Sequence, residues 1–277
     1  MSWWDALILG IVQGLTEFLP ISSSAHQSIV GQLLIGEDPG SAFTAITQLG
    51  TEAAVLVYFA RDIGRIISRW VGSLRGTVPR NDPDARMGWL VIIGTIPIVV
   101  LGLLFQDAID HALRNLWVTV AMLAGFGVVI GVADRLARNI KPLEQLSWRD
   151  GVLMGFAQCL ALIPGVSRSG ATIAAGLALG YKREAAARYS FLLAVPAVVG
   201  SGLYKLTDVA ADPAPVAWGP IALATVISFV VGYAVISWLL RYISTHTFTP
   251  FVIYRLVLAA VVAVLLLTGA LDPLPTG

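Results

Sequence analysis

The sequence predicts an all-α polytopic membrane protein, with six transmembrane helices and two re-entrant helical hairpins in an inverted-topology repeat. Three observations lead there. The chain of 277 residues is 57% hydrophobic and only 13% charged, about half the charged share of a soluble domain. Six apolar runs, 43–60, 87–105, 116–133, 189–206, 218–240 and 251–271, each have the length that a hydrocarbon layer of about 30 Å demands of a helix. Two further apolar stretches, 3–36 and 150–180, are broken midway by Pro20-Ile21-Ser22-Ser23-Ser24 and by Pro164-Gly165-Val166-Ser167-Arg168-Ser169-Gly170.

Each broken stretch is either a kinked span or a hairpin of two half-helices, because non-helical backbone at membrane depth survives only where protein or a water-filled cavity satisfies it. Basic residues mark the cytoplasmic side. Loop 61–86 holds Arg61, Arg65, Arg69, Arg75, Arg80 and Arg86, loop 134–149 holds Arg135, Arg138, Lys141 and Arg149, and segment 181–188 holds Lys182, Arg183 and Arg188. Loops 106–115 and 207–217 carry one basic residue, Arg114, beside Asp107, Asp110, Asp208 and Asp212, and are expected outside. Residues 149 and 181 share a side only if 150–180 enters and leaves by one face. A hairpin at 3–36 then makes a single membrane domain, 1–277, of two oppositely oriented halves, about 1–133 and 150–271, joined by the cytoplasmic loop 134–149.

Composition also excludes functions. A net charge of +1, with basic residues confined to short loops, argues against a nucleic-acid surface. A lone cysteine, Cys159, rules out an intrachain disulfide and an all-cysteine metal site. MSWWDALILG lacks a basic n-region, so no removable signal peptide is expected.

The chemistry is sought where ionisable groups enter apolar segments, since a charge there is costly. Those groups are Glu17, His26, Glu52, Arg168 and Arg255. Gln13 and Glu17 stand one turn apart and share a helix face, an arrangement suited to a cation or an oriented water. Ser22, Ser23 and Ser24 follow Pro20, and Ser167 and Ser169 follow Pro164, where half-helices restart. Such N-termini offer free N–H groups and a positive dipole end to an anion, and Arg168 adds a planar donor fork for phosphate oxygens. Two such ends with an arginine between them suit a diphosphate. His26 lies three residues beyond Ser23, close enough to act as a base toward a hydroxyl. Glu52 either pairs with Arg168, faces a cavity or lies near the outer surface. Arg255, near the start of the last span, reads as a snorkelling anchor.

The segments QGLTEFLPISSSAH (13–26), FTAITQLGTEAAV (43–55), IIGTIPI (92–98) and PGVSRSGATI (164–173) resemble the undecaprenyl-diphosphate phosphatases of bacteria, the bacitracin-resistance type, over essentially the whole chain. The resemblance implies removal of the terminal phosphate of the C55 isoprenoid diphosphate, recycling the carrier for peptidoglycan in the inner (plasma) membrane at a site open to the external face. It implies catalytic roles for Glu17, Ser23, His26 and Arg168, and substrate contacts from Gln13, Ser22, Ser24, Gly165, Ser167, Ser169 and Thr172. Two departures stand out: Gln13 replaces a frequent glutamate, and Ala25 a frequent glycine.

Two routes are open: attack by Ser23 with His26 taking its proton, leaving a phospho-enzyme, or activation of water by His26 or Glu17. A divalent cation, Mg²⁺ or Ca²⁺, is expected at the site, with Glu17 as its candidate protein ligand. The competing function is a transporter or flippase for a polyprenyl phosphate or diphosphate, which needs the same anion cradle but not the serine and histidine.

Overall fold

The computed structural model describes residues 1–79, 81–106, 109, 112–211 and 217–274. Arg80, Asp107, Asp110 and Asp212, used in the charge argument, lie outside the described residues. The described residues form α-helices joined by short turns: α1 (Trp3–Thr16), α2 (Ser23–Ile35), α3 (Gly40–Tyr58), α4 (Ala60–Leu74), α5 (Pro83–Leu104), α6 (Leu116–Leu136), α7 (Trp148–Gln158), α8 (Arg168–Ala178), α9 (Arg183–Ala211), α10 (Trp218–Ile243) and α11 (Thr249–Leu267). Local chemistry sets the starts. Ser2 and Asp5 form a reciprocal capping box on α1, Asp82 caps α5 with Pro83 in its first turn, and Asn115 and Ser147 cap α6 and α7.

Five helices, α5, α6, α9, α10 and α11, are long and apolar enough to cross a membrane. The run expected at 43–60 meets that test only as a bent pair, α3 with α4, at an angle of 77°. Here the expectation of a loop over 61–86 is corrected: residues 60–74 are helical. Its arginines concealed an amphipathic pattern, in which Ile66 is buried and Trp70 packs edge-on against Trp89 of α5 at 5.5 Å.

The two interrupted stretches are built alike. Adding 145 to a residue number carries Gln13 onto Gln158, Ser22 onto Ser167 and Ser24 onto Ser169. Ser22 and Ser167 have φ of 72° and 75°, a region rare for residues other than glycine. Each caps the following helix, with Ser22 Oγ accepting from the Ala25 N–H and Ser167 Oγ from the Gly170 N–H. Gly10 on α1 and Gly155 on α7 correspond too. A Cβ at Gly10 would lie 2.7 Å from the Ala224 carbonyl oxygen of α10, and one at Gly155 2.6 Å from Gly94 Cα of α5, so each first half-helix sits against the backbone of a long helix of the other half. The segments before α7 and after α8 meet: the Ile140 and Lys141 N–H groups donate to Gly180 O, and Lys182 N–H donates to Lys141 O.

Candidate active site

The breaks after α1 and α7 bring the starts of α2 and α8 to one carboxyl group, Glu17, beside α3. Arg168, first residue of α8, donates through Nη2 to Glu17 Oε1 at 2.7 Å and to Glu52 Oε1 at 2.9 Å. All three are withdrawn from solvent, with side chains 13%, 3% and 1% exposed. Their interactions are therefore weakly screened. The other Glu17 oxygen, Oε2, accepts from Gln13 Nε2 at 2.6 Å, Ser23 Oγ at 2.7 Å and Gln48 Nε2 at 3.4 Å. Glu17 thus joins the first turn, the second turn and α3.

Sequence reasoning and geometry diverge at His26. Its Nδ1 contacts the Ser22 carbonyl at 2.6 Å, and since that oxygen only accepts, Nδ1 carries the proton. Its Nε2 meets the Tyr254 hydroxyl at 2.7 Å, with the two rings stacked. The structure thus pairs Ser23 with Glu17 and turns the histidine toward α11. Tyr254 had no signal in the sequence, where nothing sets it apart from the other tyrosines. Glu52 resolves to the first of its three alternatives, the pair with Arg168.

Arg255 is a correction. It is 0% exposed and anchors no interface. Its Nε donates to Leu123 O, Nη1 to Pro20 O and Val166 O, and Nη2 to Met122 O and Gly165 O, at 2.7–3.2 Å. Five carbonyls satisfy its five N–H groups, and they belong to both interrupted turns and to α6. Ser169 Oγ adds a second tie between the turns by donating to Leu19 O.

The remaining candidates divide. Ser24 bonds Ser22 at 3.2 Å and Ser169 bonds Ser167 at 3.1 Å, so the four hydroxyls flank the two helix starts. Thr172 is turned away, donating to Arg168 O at 2.8 Å and lying in hydrogen-bond contact with Ser190. Gly165, at φ +94°, gives its carbonyl to Arg255, and a Cβ there would be 2.6 Å from Thr119 O. Both shape the second turn.

Glu17 and Glu52 bring carboxyl oxygens together, the ligand type that a hard cation takes. Among the described residues no three His, Cys, Asp or Glu side chains converge as a metal cage. The buried Glu52 Oε2 takes no hydrogen bond from the described residues. Around Arg168 two carboxyl groups face one guanidinium. The donor set therefore fits a hard cation only as part of a shell that substrate oxygens complete.

A family model described as "Bacitracin resistance protein BacA" matches residues 6–261. The chain belongs to that family. It is 62% identical over 276 residues to an undecaprenyl-diphosphatase of Micrococcus luteus, covering 98% of this chain and 100% of the relative. It is 64% identical over 267 residues to one of Kineococcus radiotolerans, covering 96% and 95%, and 56% identical to undecaprenyl-diphosphatase 2 of Streptomyces coelicolor, covering 99% and 98%. The bent turns, the guanidinium between two carboxylates and the paired serine thus belong to a BacA-family membrane protein.

Proposed function

We propose that this chain hydrolyses undecaprenyl diphosphate to undecaprenyl phosphate and inorganic phosphate, recycling the lipid carrier of envelope synthesis. The observation that carries the reading is Arg168 held between Glu17 and Glu52 at the junction of two helix starts, with Ser23 hydrogen-bonded to the same Glu17. Phosphoryl transfer asks mainly for charge stabilisation and positioning. In this reading the incoming phosphoryl oxygens take over Arg168 from the carboxylates and use the first amides of α2 and α8, which helix geometry leaves without intrahelical partners.

Ser23 Oγ then attacks the terminal phosphorus while its proton passes to Glu17 Oε2. The Ser–O–P bond forms as the bond to the bridging oxygen breaks, and Glu17 hands that proton to undecaprenyl phosphate as it leaves, which returns Glu17 to a carboxylate. Water attacks the phosphoserine, Glu17 takes one of its protons, and the serine oxygen recovers a proton as inorganic phosphate departs. Glu52 holds Arg168 in place, and His26, bonded to Ser22 O, steadies the turn that presents Ser23. Gln13, Ser22, Ser24, Ser167 and Ser169 line the phosphate path, with Gly165 and Thr172 shaping the second turn. Mg²⁺ or Ca²⁺ held by Glu17 and Glu52 together with diphosphate oxygens would neutralise the surplus negative charge.

The same reading takes the chain as one membrane domain of the bacterial inner membrane. It has six spans and two re-entrant hairpins, α1–α2 and α7–α8, in inverted orientation, with the site open outward. The shared offset of 145 residues, the matched serine caps and the basic segments around 61–75 and 134–149 support it. A carrier translocase would need the anion cradle but not the Ser23–Glu17 bond.

Phosphate release from undecaprenyl diphosphate by the purified protein with Mg²⁺ or Ca²⁺, followed by acid quench and search for ³²P on Ser23, tests the proposal. Release with label on Ser23 is expected. No release by the folded protein across ions and pH would overturn the activity, and full turnover by Ser23→Ala would overturn the nucleophile.

A further inference from the structure

The helix α4 plays no part in the site, yet its surface is ordered in three sectors. An α-helix advances 100° per residue, so residues seven apart lie nearly in line. One sector faces the protein: Ile66 is buried and Ile63 and Trp70 are half-buried against the rest of the chain. The next holds Ala60, Ile67 and Leu74, in line at intervals of seven and all exposed, Ile67 by 54% and Leu74 by 57%. Beside it runs a second exposed line at the same interval, Arg61, Ser68 and Arg75.

The ion pairs follow this order. Arg65 and Arg69, which lie farther round toward the protein, are engaged: Arg65 with Asp62 at 3.0 Å and Asp84 at 2.9 Å, and Arg69 with Asp82 at 2.8 Å. Arg61 and Arg75, bordering the apolar line, form no ion pair among the described residues. Nor does Arg61 serve the helix, since a cation in the first turn opposes the helix dipole. An exposed apolar stripe with unpaired arginines along one edge is the profile of a helix lying in the membrane interface, and the 77° bend from α3 gives α4 the direction to do so.

We propose that α4 is a binding site for anionic phospholipid. Ile67 and Leu74 enter the acyl boundary, while Arg61, Ser68 and Arg75 hold phosphate groups of headgroups. Arg61 and Arg75 stand about 21 Å apart along the axis at 1.5 Å per residue, so each engages a separate lipid. The choice of anionic over zwitterionic lipid rests on charge: no carboxylate of the described residues neutralises either arginine, so each attracts a net negative headgroup.

The test uses the full protein in nanodiscs of equal phosphatidylglycerol and phosphatidylcholine with matched chains, and native mass spectrometry to count the lipids it retains on release. Retained lipid should be enriched in phosphatidylglycerol by roughly fivefold for each arginine, and R61Q/R75Q should fall to near parity. R65Q/R69Q removes two arginines of the same helix that carboxylates already engage and should keep the enrichment. Circular dichroism melting checks that all variants are folded. Parity in the parent, undiminished enrichment in R61Q/R75Q, or equal loss in R65Q/R69Q would each overturn the proposal.

Discussion

The two interrupted turns share a backbone and differ in chemistry. Each has a serine forced to positive φ, a cap from that serine to the N–H three residues on, and a serine two residues beyond bonded to the first. The first turn surrounds this frame with Glu17, Ser23 and His26. At the corresponding positions the second has Leu162, Arg168 and Ala171. The frame supplies two helix starts, and the side chains divide the labour: acid and hydroxyl on one turn, cation on the other. Neither turn holds a complete site, which is why the contact between them, Arg168 to Glu17, matters more than either motif.

That division predicts a ranking of effects. Removing the cation of the second turn or the hydroxyl of the first should be most severe: Arg168→Ala and Ser23→Ala should each lower phosphate release by about 10³-fold or more, measured on protein whose melting matches the parent. Next comes the tie behind the turns. Arg255→Met leaves five buried carbonyls without their donor and should cost at least ~3 kcal/mol of stability, read as loss of monodisperse protein or a large fall in Tm. Arg255→Lys should recover part of it. Glu52→Gln removes a charge but keeps a group able to accept from Arg168, so kcat should fall about 10- to 10²-fold through misplacement of the guanidinium, with Tm close to the parent's.

The smaller effects test whether the frame is equivalent in both turns. Tyr254→Phe removes one hydrogen bond to His26 and should cost about fivefold in turnover, the value of ~1 kcal/mol. Equality with the Ser23→Ala loss would return the histidine to a direct role. Ser22→Gly and Ser167→Gly should both leave Tm nearly unchanged, because a glycine at that φ loses the cap but relieves the backbone. The alanine variants should each cost ~1 kcal/mol. A large difference between the two positions would show that the turns are alike in shape only.

How much was legible in the sequence follows from how local each feature is. The long helices were readable because lipid thickness imposes length and composition on a continuous segment. Gln13 and Glu17 were readable as a pair because four residues make one turn. The α4 helix was hidden by its arginines, since a count of charges does not reveal that they lie on one side. The Arg168–Glu52 pair spans 116 positions and the His26–Tyr254 pair 228, separations at which residue type alone names no partner. Arg255 was misread for a related reason: its partners are backbone carbonyls, which every residue has, so nothing in the chemistry of the neighbours announces a buried cation.

The position of Arg255 in the chain also bears on biogenesis. Pro20 and Val166 precede it by 235 and 89 residues, so during synthesis both turns enter the membrane before the side chain that ties them exists. Their carbonyls must be kept by water or provisional partners until α11 arrives. Maturation is therefore gated by a helix translated well after both turns, and a chain arrested before that helix would hold every proposed catalytic residue without the tie that registers them.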